Sequence, residues 1–260
     1  MTNLTLLVKA FNPKQLKQVD DLLKSELGEL DLEISVSANP ANKWVQVSLS
    51  GEDEAIATNY INQKIGTCPA NLKKIKEQSV LKGYISKVDL TKEELWVDVG
   101  VFEPKIVQAI ISLNSIRAQL ANGRAVDLKK ISELFGFHEG LPLSIKITGL
   151  PVDGAGVLQA EFSAEQLEKI HFWERSLLDR LIVLRASLSE VEAVVERTHL
   201  DRDVIGIEEL GIFEHALTCK LGTDGAGLVS KMGRYMRNAV FVVYNPRNVR
   251  VFIGETALNV

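Results

Sequence analysis

Cysteine is nearly absent from this sequence: the 260 residues contain two, Cys68 and Cys219. Neither belongs to a Cys-x-x-Cys pair or to a His-x-x-x-His frame, so the pattern excludes a disulfide scaffold and a structural zinc site. His215 would share a strand face with Cys219, but two ligands do not close a metal site. We therefore expect two core thiols and no bound metal.

Long hydrophobic runs and targeting signals are also missing. No apolar run approaches the roughly 18 to 20 residues that are needed to span a bilayer. The first residues, from Met1 to Leu4, lack the basic start and the small-residue cleavage site of a signal peptide. The sequence thus predicts a cytoplasmic protein without a membrane partner.

The familiar catalytic and nucleotide-binding motifs are absent as well. There is no Gly-Lys-Ser/Thr ending of a P-loop, no Gly-x-Gly-x-x-Gly pattern, no Ser-His-Asp arrangement around a nucleophile turn and no His-Glu-x-x-His frame. These absences favour a non-enzymatic protein without a cofactor. One cluster is compatible with an enzyme, because His199 with Asp201 or Asp203 could supply general acid-base chemistry. The alternative is that these residues form ion pairs and that His199 stabilises a helix C-terminus.

What is present is an ordinary globular composition with an uneven distribution of charge. Apolar residues make up 46% and charged residues 25% of the chain, which is enough for two or three compact units with their own cores. The net charge is −4, yet the stretch from Lys220 to Arg250 holds six basic residues and a single acidic one, Asp224. Such a polarised distribution is compatible with a nucleic-acid partner.

The middle of the chain has the pattern of a small β-barrel. Its segments carry apolar residues at every second position, and Gly123, Gly140 and Gly154-Ala155-Gly156 mark turns between them. Five segments fit this description: Lys82–Asp89, Glu94–Gly100, Ala125–Ile131, Leu143–Thr148 and Val157–Phe162. Five short strands predict a barrel within residues 71–163.

This region resembles the S-one type of oligonucleotide/oligosaccharide-binding (OB) domain over about 80 residues. The likeness lies in Gly83-Tyr84-Ile85, in the second strand Val97-Asp98-Val99-Gly100, in a helical insert and in a closing hairpin. The resemblance implies that RNA binds by stacking on aromatic residues over a basic groove. It puts Tyr84, Trp96 and Phe102 at stacking positions, with Lys82 and Lys87 beside them. The alternative is that Tyr84 and Trp96 fill the barrel or a domain interface.

The two ends of the chain predict α/β units of similar order. Residues 1–70 read strand, helix, strand, strand, helix, with a helix from Asn12 to Leu27 and a short or missing last strand. Residues 164–260 read as a bridging helix, then strand, helix, strand, strand, helix, strand, and a final strand at Val249–Ile253. The predicted fold is therefore α+β, with a central OB-like β-barrel flanked by two ferredoxin-like α/β sandwich units.

Several stretches from Lys82 onward resemble an archaeal family known by a domain-of-unknown-function label. They are Val97-Asp98-Val99-Gly100-Val101-Phe102, Glu133-Leu134-Phe135-Gly136-Phe137, Leu178-Asp179-Arg180-Leu181-Ile182-Val183, His199-Leu200-Asp201-Arg202-Asp203-Val204-Ile205 and Cys219-Lys220-Leu221-Gly222-Thr223-Asp224. This resemblance implies no activity.

A glycine-rich turn leads into a predicted helix near the C-terminus. Backbone N–H groups at such a helix start suit a phosphate, which makes Gly222, Thr223, Gly225 and Gly227 a candidate phosphate loop. The cations that accompany it are Lys220, Lys231, Arg234 and Arg237, the last three spaced three residues apart. The alternative is a tight turn in which Thr223 or Asp224 caps the helix.

These features together predict a non-enzymatic RNA-binding or ribonucleoprotein-associated protein that uses the barrel and the C-terminal basic segment. The first alternative is an adaptor that binds a ribosomal or transcription-machinery protein, since both fold types serve many functions. The second is an RNA-modifying enzyme built on the glycine loop and His199.

Overall fold

A computed structural model describes residues 1–151 and 156–254 of the chain. The protein belongs to the α+β class and divides into two compact units. The first comprises Met1–Ile75 and Val99–Val107, and the second comprises Lys76–Asp98 and the chain from Gln108 onward. Within the described residues, every helix is too short or too polar to cross a bilayer. The three domains predicted from the sequence stay a prediction.

The first unit contains a three-stranded antiparallel sheet with two helices on one face. Its elements are β1 (Thr2–Lys9), α1 (Pro13–Leu27), β2 (Leu32–Ala38), β3 (Trp44–Gly51) and α2 (Glu54–Lys64). They follow the order that the sequence predicts, and the strands lie in the order β1-β3-β2. The expected short last strand is reduced to one antiparallel bridge between Leu6 and Thr67.

Local sequence explains where α1 begins and which face it buries. Asn12 Oδ1 accepts a hydrogen bond from Gln15 N at 2.9 Å. Pro13 occupies the first helical position, where a backbone N–H is not needed. Val19 and Leu23, four residues apart, are buried, so the apolar face of the helix packs on the sheet.

The central strands close into a five-stranded barrel. The elements of this region are β4 (Ala70–Asn71), β5 (Val80–Asp89), β6 (Glu94–Glu103), β7 (Val107–Ser112), α3 (Leu113–Leu120), α4 (Leu128–Phe135), β8 (Pro142–Gly149) and β9 (Leu158–Phe162). The order around the barrel is β6-β5-β8-β9-β7, β7 pairs with β6 again, and β4 adds to β6 from outside. The β7–β9 pair is parallel. Alternate residues of β6, among them Leu95 and Val97, are fully buried and fill the interior.

The third barrel strand differs from the predicted one. Residues Ala125–Ile131 were expected to form a strand, but Leu128–Phe135 is the helix α4 and the third strand is β7. Asp127 caps α4, Gly136 ends it in the left-handed conformation, and Leu128 and Ile131 are buried at helical spacing. The predicted turn at Gly154 and Ala155 lies outside the described residues.

The C-terminal part of the second unit contains a four-stranded antiparallel sheet. Its elements are α5 (Ala164–Ser176), β10 (Arg180–Leu184), α6 (Leu188–Arg197), β11 (Val204–Gly211), β12 (Glu214–Cys219), α7 (Gly225–Met232), β13 (Val240–Tyr244) and α8 (Pro246–Ile253). The strand order is β11-β12-β10-β13. Leu181 and Val183 of β10 pack with Val191 of α6 and with Leu228 and Met232 of α7 in one core.

The predicted final strand at Val249–Ile253 is wrong, because this segment is part of the helix α8. Asn245 Oδ1 caps the helix by accepting a hydrogen bond from Asn248 N at 3.1 Å, and Pro246 is its first residue. Val249 and Ile253 are buried one helical turn apart. The β-branched residues of this segment indicated a strand, but the capping residues decide the outcome locally.

Candidate nucleic-acid interface

The first-strand aromatic residue, Tyr84, lies inside the protein. Its side chain is 2% exposed, and its hydroxyl donates a hydrogen bond to Glu214 Oε2 on β12 at 3.4 Å. A ring that is closed off in this way has no free face for a base to stack on. Tyr84 therefore contributes to packing, which was the alternative interpretation.

Trp96 on β6 keeps part of its ring accessible beside two lysines. Lys87 of β5 lies directly opposite Trp96 in the antiparallel ladder. Lys92 Nζ lies 5.6 Å from the centre of a Trp96 ring, within the range of a cation–π interaction. Lys87 Nζ contacts Asp89 Oδ2 at 2.7 Å, and this hydrogen bond lowers the pKa of the Asp89 carboxyl. The turn end of the β5–β6 hairpin thus presents an aromatic ring beside two lysines.

The middle of β6 is covered, so it cannot serve as an open stacking surface. Asp98 is 6% exposed. At Gly100, where φ is +70°, an added Cβ would lie 2.5 Å from Cys68 Cβ and Sγ. Phe102, near the end of the strand, is half-buried. Lys82, the remaining barrel cation, is exposed and lies 4.0 Å from Glu165 Oε1.

The glycine-rich loop brings its residues together at the start of α7, but carboxylates of the chain itself occupy its donors. Gly225 N donates to Asp179 Oδ2 at 3.3 Å and Ala226 N donates to Asp224 Oδ1 at 2.9 Å. Gly227 N donates to Asp224 O at 3.1 Å. An anion would have to displace these contacts to reach the helix N-terminus. The geometry is that of a capped turn, the alternative that the sequence left open.

A pocket of about 170 Å³ adjoins this loop. Its lining includes Gly222, Thr223, Lys220 and Arg247 together with Asp179. The two cations are balanced by carboxylates on the same wall, since Asp224 lines the pocket as well. The pocket therefore presents mixed charge, unlike a dedicated phosphate site.

An aromatic residue that the sequence interpretation missed, Tyr235, lies in the turn after α7 beside two arginines. Tyr235 is 40% exposed. The guanidinium carbon of Arg197, the last residue of α6, lies 4.5 Å from the ring centre, and that of Arg234 lies 5.6 Å from it. Lys231 Nζ is 3.4 Å from Asp203 Oδ2, and Arg237 is exposed. An aromatic residue inside a basic segment was the signal that could have found this surface.

The polar cluster around His199 is exposed and locally constrained. His199 has a left-handed backbone, with φ +54° and ψ +36°, and precedes a single 3-10 turn over Leu200–Arg202. Asp203 accepts from Thr223 Oγ1 at 3.4 Å and pairs with Lys231. In the part of the chain that the structure describes, no hydrogen bond joins the His199 ring to Asp201 or Asp203, so the geometry does not assemble an acid-base pair.

His215 and Cys219 are buried in the core of the C-terminal sheet. The His215 ring is fully buried and its Nε2 lies 3.0 Å from Ala186 O. Burial lowers the pKa of the imidazole and raises the pKa of the Cys219 thiol to about 11. Among residues 1–151 and 156–254, no group of three or more His, Cys, Asp and Glu side chains could hold a metal ion.

Comparison with protein families identifies two matches in this chain. Residues 3–71 match the DUF2110 N-terminal domain, and residues 178–244 match the DUF2110 C-terminal domain. The two matches together cover just over half of the sequence. They are consistent with the resemblance to a domain-of-unknown-function family, whose archaeal origin stays a prediction. No curated protein matches the chain.

Proposed function

The chain belongs to the DUF2110 family, and we propose that it is a non-enzymatic RNA-binding or ribonucleoprotein-associated protein. The observation that carries this proposal is the exposed Tyr235 ring with two guanidinium groups within 6 Å of it. We refer to Arg197, Lys231, Arg234, Tyr235 and Arg237 as the Tyr235 surface. This surface lies in the second unit and does not include the buried Tyr84.

The fold supports the proposal. We interpret the barrel as an OB domain of the S-one type, because its strands, numbered along the chain, follow the order 1-2-3-5-4 with strands 3 and 5 parallel and a helical insert between strands 3 and 4. We interpret the C-terminal unit as ferredoxin-like, since its first and third strands are central and a helix follows each. Both architectures occur among RNA-binding modules.

The chemistry of the Tyr235 surface suits single-stranded RNA. An accessible aromatic ring offers a face to an unstacked base, and the arginines can contact the adjoining phosphates. The ion pair of Lys231 with Asp203 is exposed and long at 3.4 Å, so its stabilising contribution is small and Lys231 can contact a phosphate instead. Trp96 with Lys87 and Lys92 provides a second surface of the same composition on the barrel.

The experiment is a filter-binding titration with single-stranded RNA at several salt concentrations. Tyr235→Ala should weaken binding by about 5- to 150-fold, the loss of roughly 1–3 kcal/mol of stacking on one base, whereas Tyr235→Phe should keep it. Arg197→Ala and Arg234→Ala should each reduce the slope of log K against log salt by about 0.7. Arg175→Ala, an exposed cation on α5, is the matched control and should leave both quantities unchanged.

The proposal fails if RNA affinity is absent at low salt, or if replacing Lys231 and Arg234 together by Glu leaves the affinity as it was. A binding constant that does not fall with salt would also contradict it, because phosphate contacts release counterions.

A second candidate function is a protein-interaction adaptor, and one observation favours it. Leu177 and Leu221 both line the 170 Å³ pocket and are 37% and 72% exposed. Exposed apolar side chains near one another are typical of protein-binding surfaces. A pull-down of ribosomal or transcription-machinery proteins that survives nuclease treatment and is lost in Leu221→Asp would favour the adaptor over RNA binding.

A further inference from the structure

The strand β2 is an open sheet edge with a regular pairing register. It is the last strand of its sheet, and within the described residues no strand pairs with its outer side. Its seven residues pair with β3 in an uninterrupted register, from Leu32 opposite Gly51 to Ala38 opposite Val45. The strand contains no proline and no bulge, two features that proteins use to block edge pairing, and Glu33 is its one charged residue.

The other edges of the two open sheets do carry such features. The β1 edge is covered, because Leu7 N donates to Gly66 O and Cys68 N donates to Thr5 O. The β11 edge has two register irregularities in its pairing with β12. The β13 edge is only five residues long and ends next to Pro246. These three edges are therefore covered, irregular or short, whereas the pairing register of β2 is regular.

The backbone groups that face outward on β2 can be identified. Asp53 N donates to Asp31 O and Asn39 N donates to Trp44 O, so the odd-numbered residues direct their backbone groups toward β3. Because these groups alternate along a strand, Ile34, Val36 and Ala38 direct theirs outward. The side chains of Ile34 and Val36 are half-buried, while Ser37 is exposed on the opposite face.

We propose that β2 pairs antiparallel with β2 of a second copy of this chain, about a two-fold axis at Ser35. This register is self-complementary, as a two-fold interface must be. Ile34 then faces Val36 of the second copy, and Leu32 faces Ala38, which covers the half-exposed apolar side chains. Glu33, the one charged residue of the strand, faces Ser37 and meets no like charge. The dimer would join the two three-stranded sheets into a continuous six-stranded sheet and does not depend on the RNA-binding proposal.

Sedimentation equilibrium over a concentration series tests the interface. The wild-type protein should approach twice the 28.7 kDa of one chain. Ser37→Lys places a cation opposite Glu33 twice in each dimer and should lower the dissociation constant by about 2- to 30-fold, while Ser37→Glu should raise it by a similar factor. Gln46→Lys and Gln46→Glu are the matched controls, because Gln46 is the exposed neighbour of Ser37 on the inner strand β3, and both should dimerise like the wild type.

A backbone variant gives an independent readout. Val36→Pro removes an outward N–H while leaving the bonds to β3 in place, so it should abolish the dimer and keep the circular dichroism spectrum of the wild type. If the wild-type mass stays at that of one chain at every concentration, the proposal is overturned. A β2 edge that accepts a strand of another protein instead of a second copy would give this result. Equal shifts for Ser37→Lys and Ser37→Glu would overturn it as well.

Discussion

Mild acid should destabilise this protein through His215. The ring is fully buried, and Nε2 must carry a hydrogen because its partner, Ala186 O at 3.0 Å, only accepts. A second proton would enter at Nδ1, which is buried without a hydrogen-bond partner within the described residues. Burial accordingly lowers the pKa of His215 in the folded state. The unfolded chain therefore takes up a proton that the folded chain excludes, so stability falls as the pH drops below the unfolded pKa.

The size of this effect follows from proton linkage. With an unfolded pKa of about 6.5, lowering the pH from 7 to 5.5 should reduce the free energy of unfolding by at most about 1.3 kcal/mol, the limit that applies when the folded ring stays neutral. The limiting slope at lower pH is about 1.4 kcal/mol per pH unit for one proton. The lowered pKa of Asp89 contributes stability that is lost only below the unfolded carboxyl pKa of about 4, outside this window.

Urea denaturation at pH 7 and at pH 5.5 measures the effect. The matched variant is His215→Gln, whose side-chain amide can still donate to Ala186 O but does not titrate. On acidification the wild type should lose more stability than the variant, by at most about 1.3 kcal/mol. Equal losses in the two proteins, or an NMR titration of His215 in the folded state with an ordinary pKa, would refute the reasoning.

The remaining predictions concern packing. Gly100→Ala should reduce the free energy of unfolding by about 2–5 kcal/mol. Alanine would have to adopt a left-handed backbone there, and its Cβ would lie 2.5 Å from Cys68. Gly123→Ala, with φ +74° and nothing within 4 Å of the added Cβ, isolates the backbone strain and should lose about 1–2 kcal/mol; equal losses in urea titrations would contradict this account. In a Cys68→Ser background, Cys219 should react with a thiol reagent only under unfolding conditions, since it is fully buried and burial raises its pKa to about 11. Rapid labelling of the native protein would disprove it.

Much of the secondary structure could be predicted because its signals are local. The cap at Asn12 with Pro13 sets the start of α1, and the alternation of Leu95, Val97 and Val99 identifies a barrel strand with one face inward. Where two local signals competed, the prediction went wrong: Val249–Ile253 carried β-branched residues inside a capped helical segment.

The candidate site was less accessible to sequence reasoning, because a pattern shows which face is apolar or charged but not what covers it. Tyr84 had the position of a stacking residue, yet its hydroxyl ends up beside Glu214, 130 residues away. Tyr235 lies next to Arg234 in the sequence, but Arg197 reaches its ring only because α6 and α7 belong to one core.

The amino-acid sequence by itself determined the class of the fold, four of the five barrel strands, most helix boundaries and the basic character of the C-terminal segment, because caps, periodicity and charge act over a few residues. Only the tertiary structure decided which aromatic rings remain exposed, which N–H groups are already bonded and which sheet edge is open. These properties depend on contacts between residues far apart in the chain, and no local pattern encodes them.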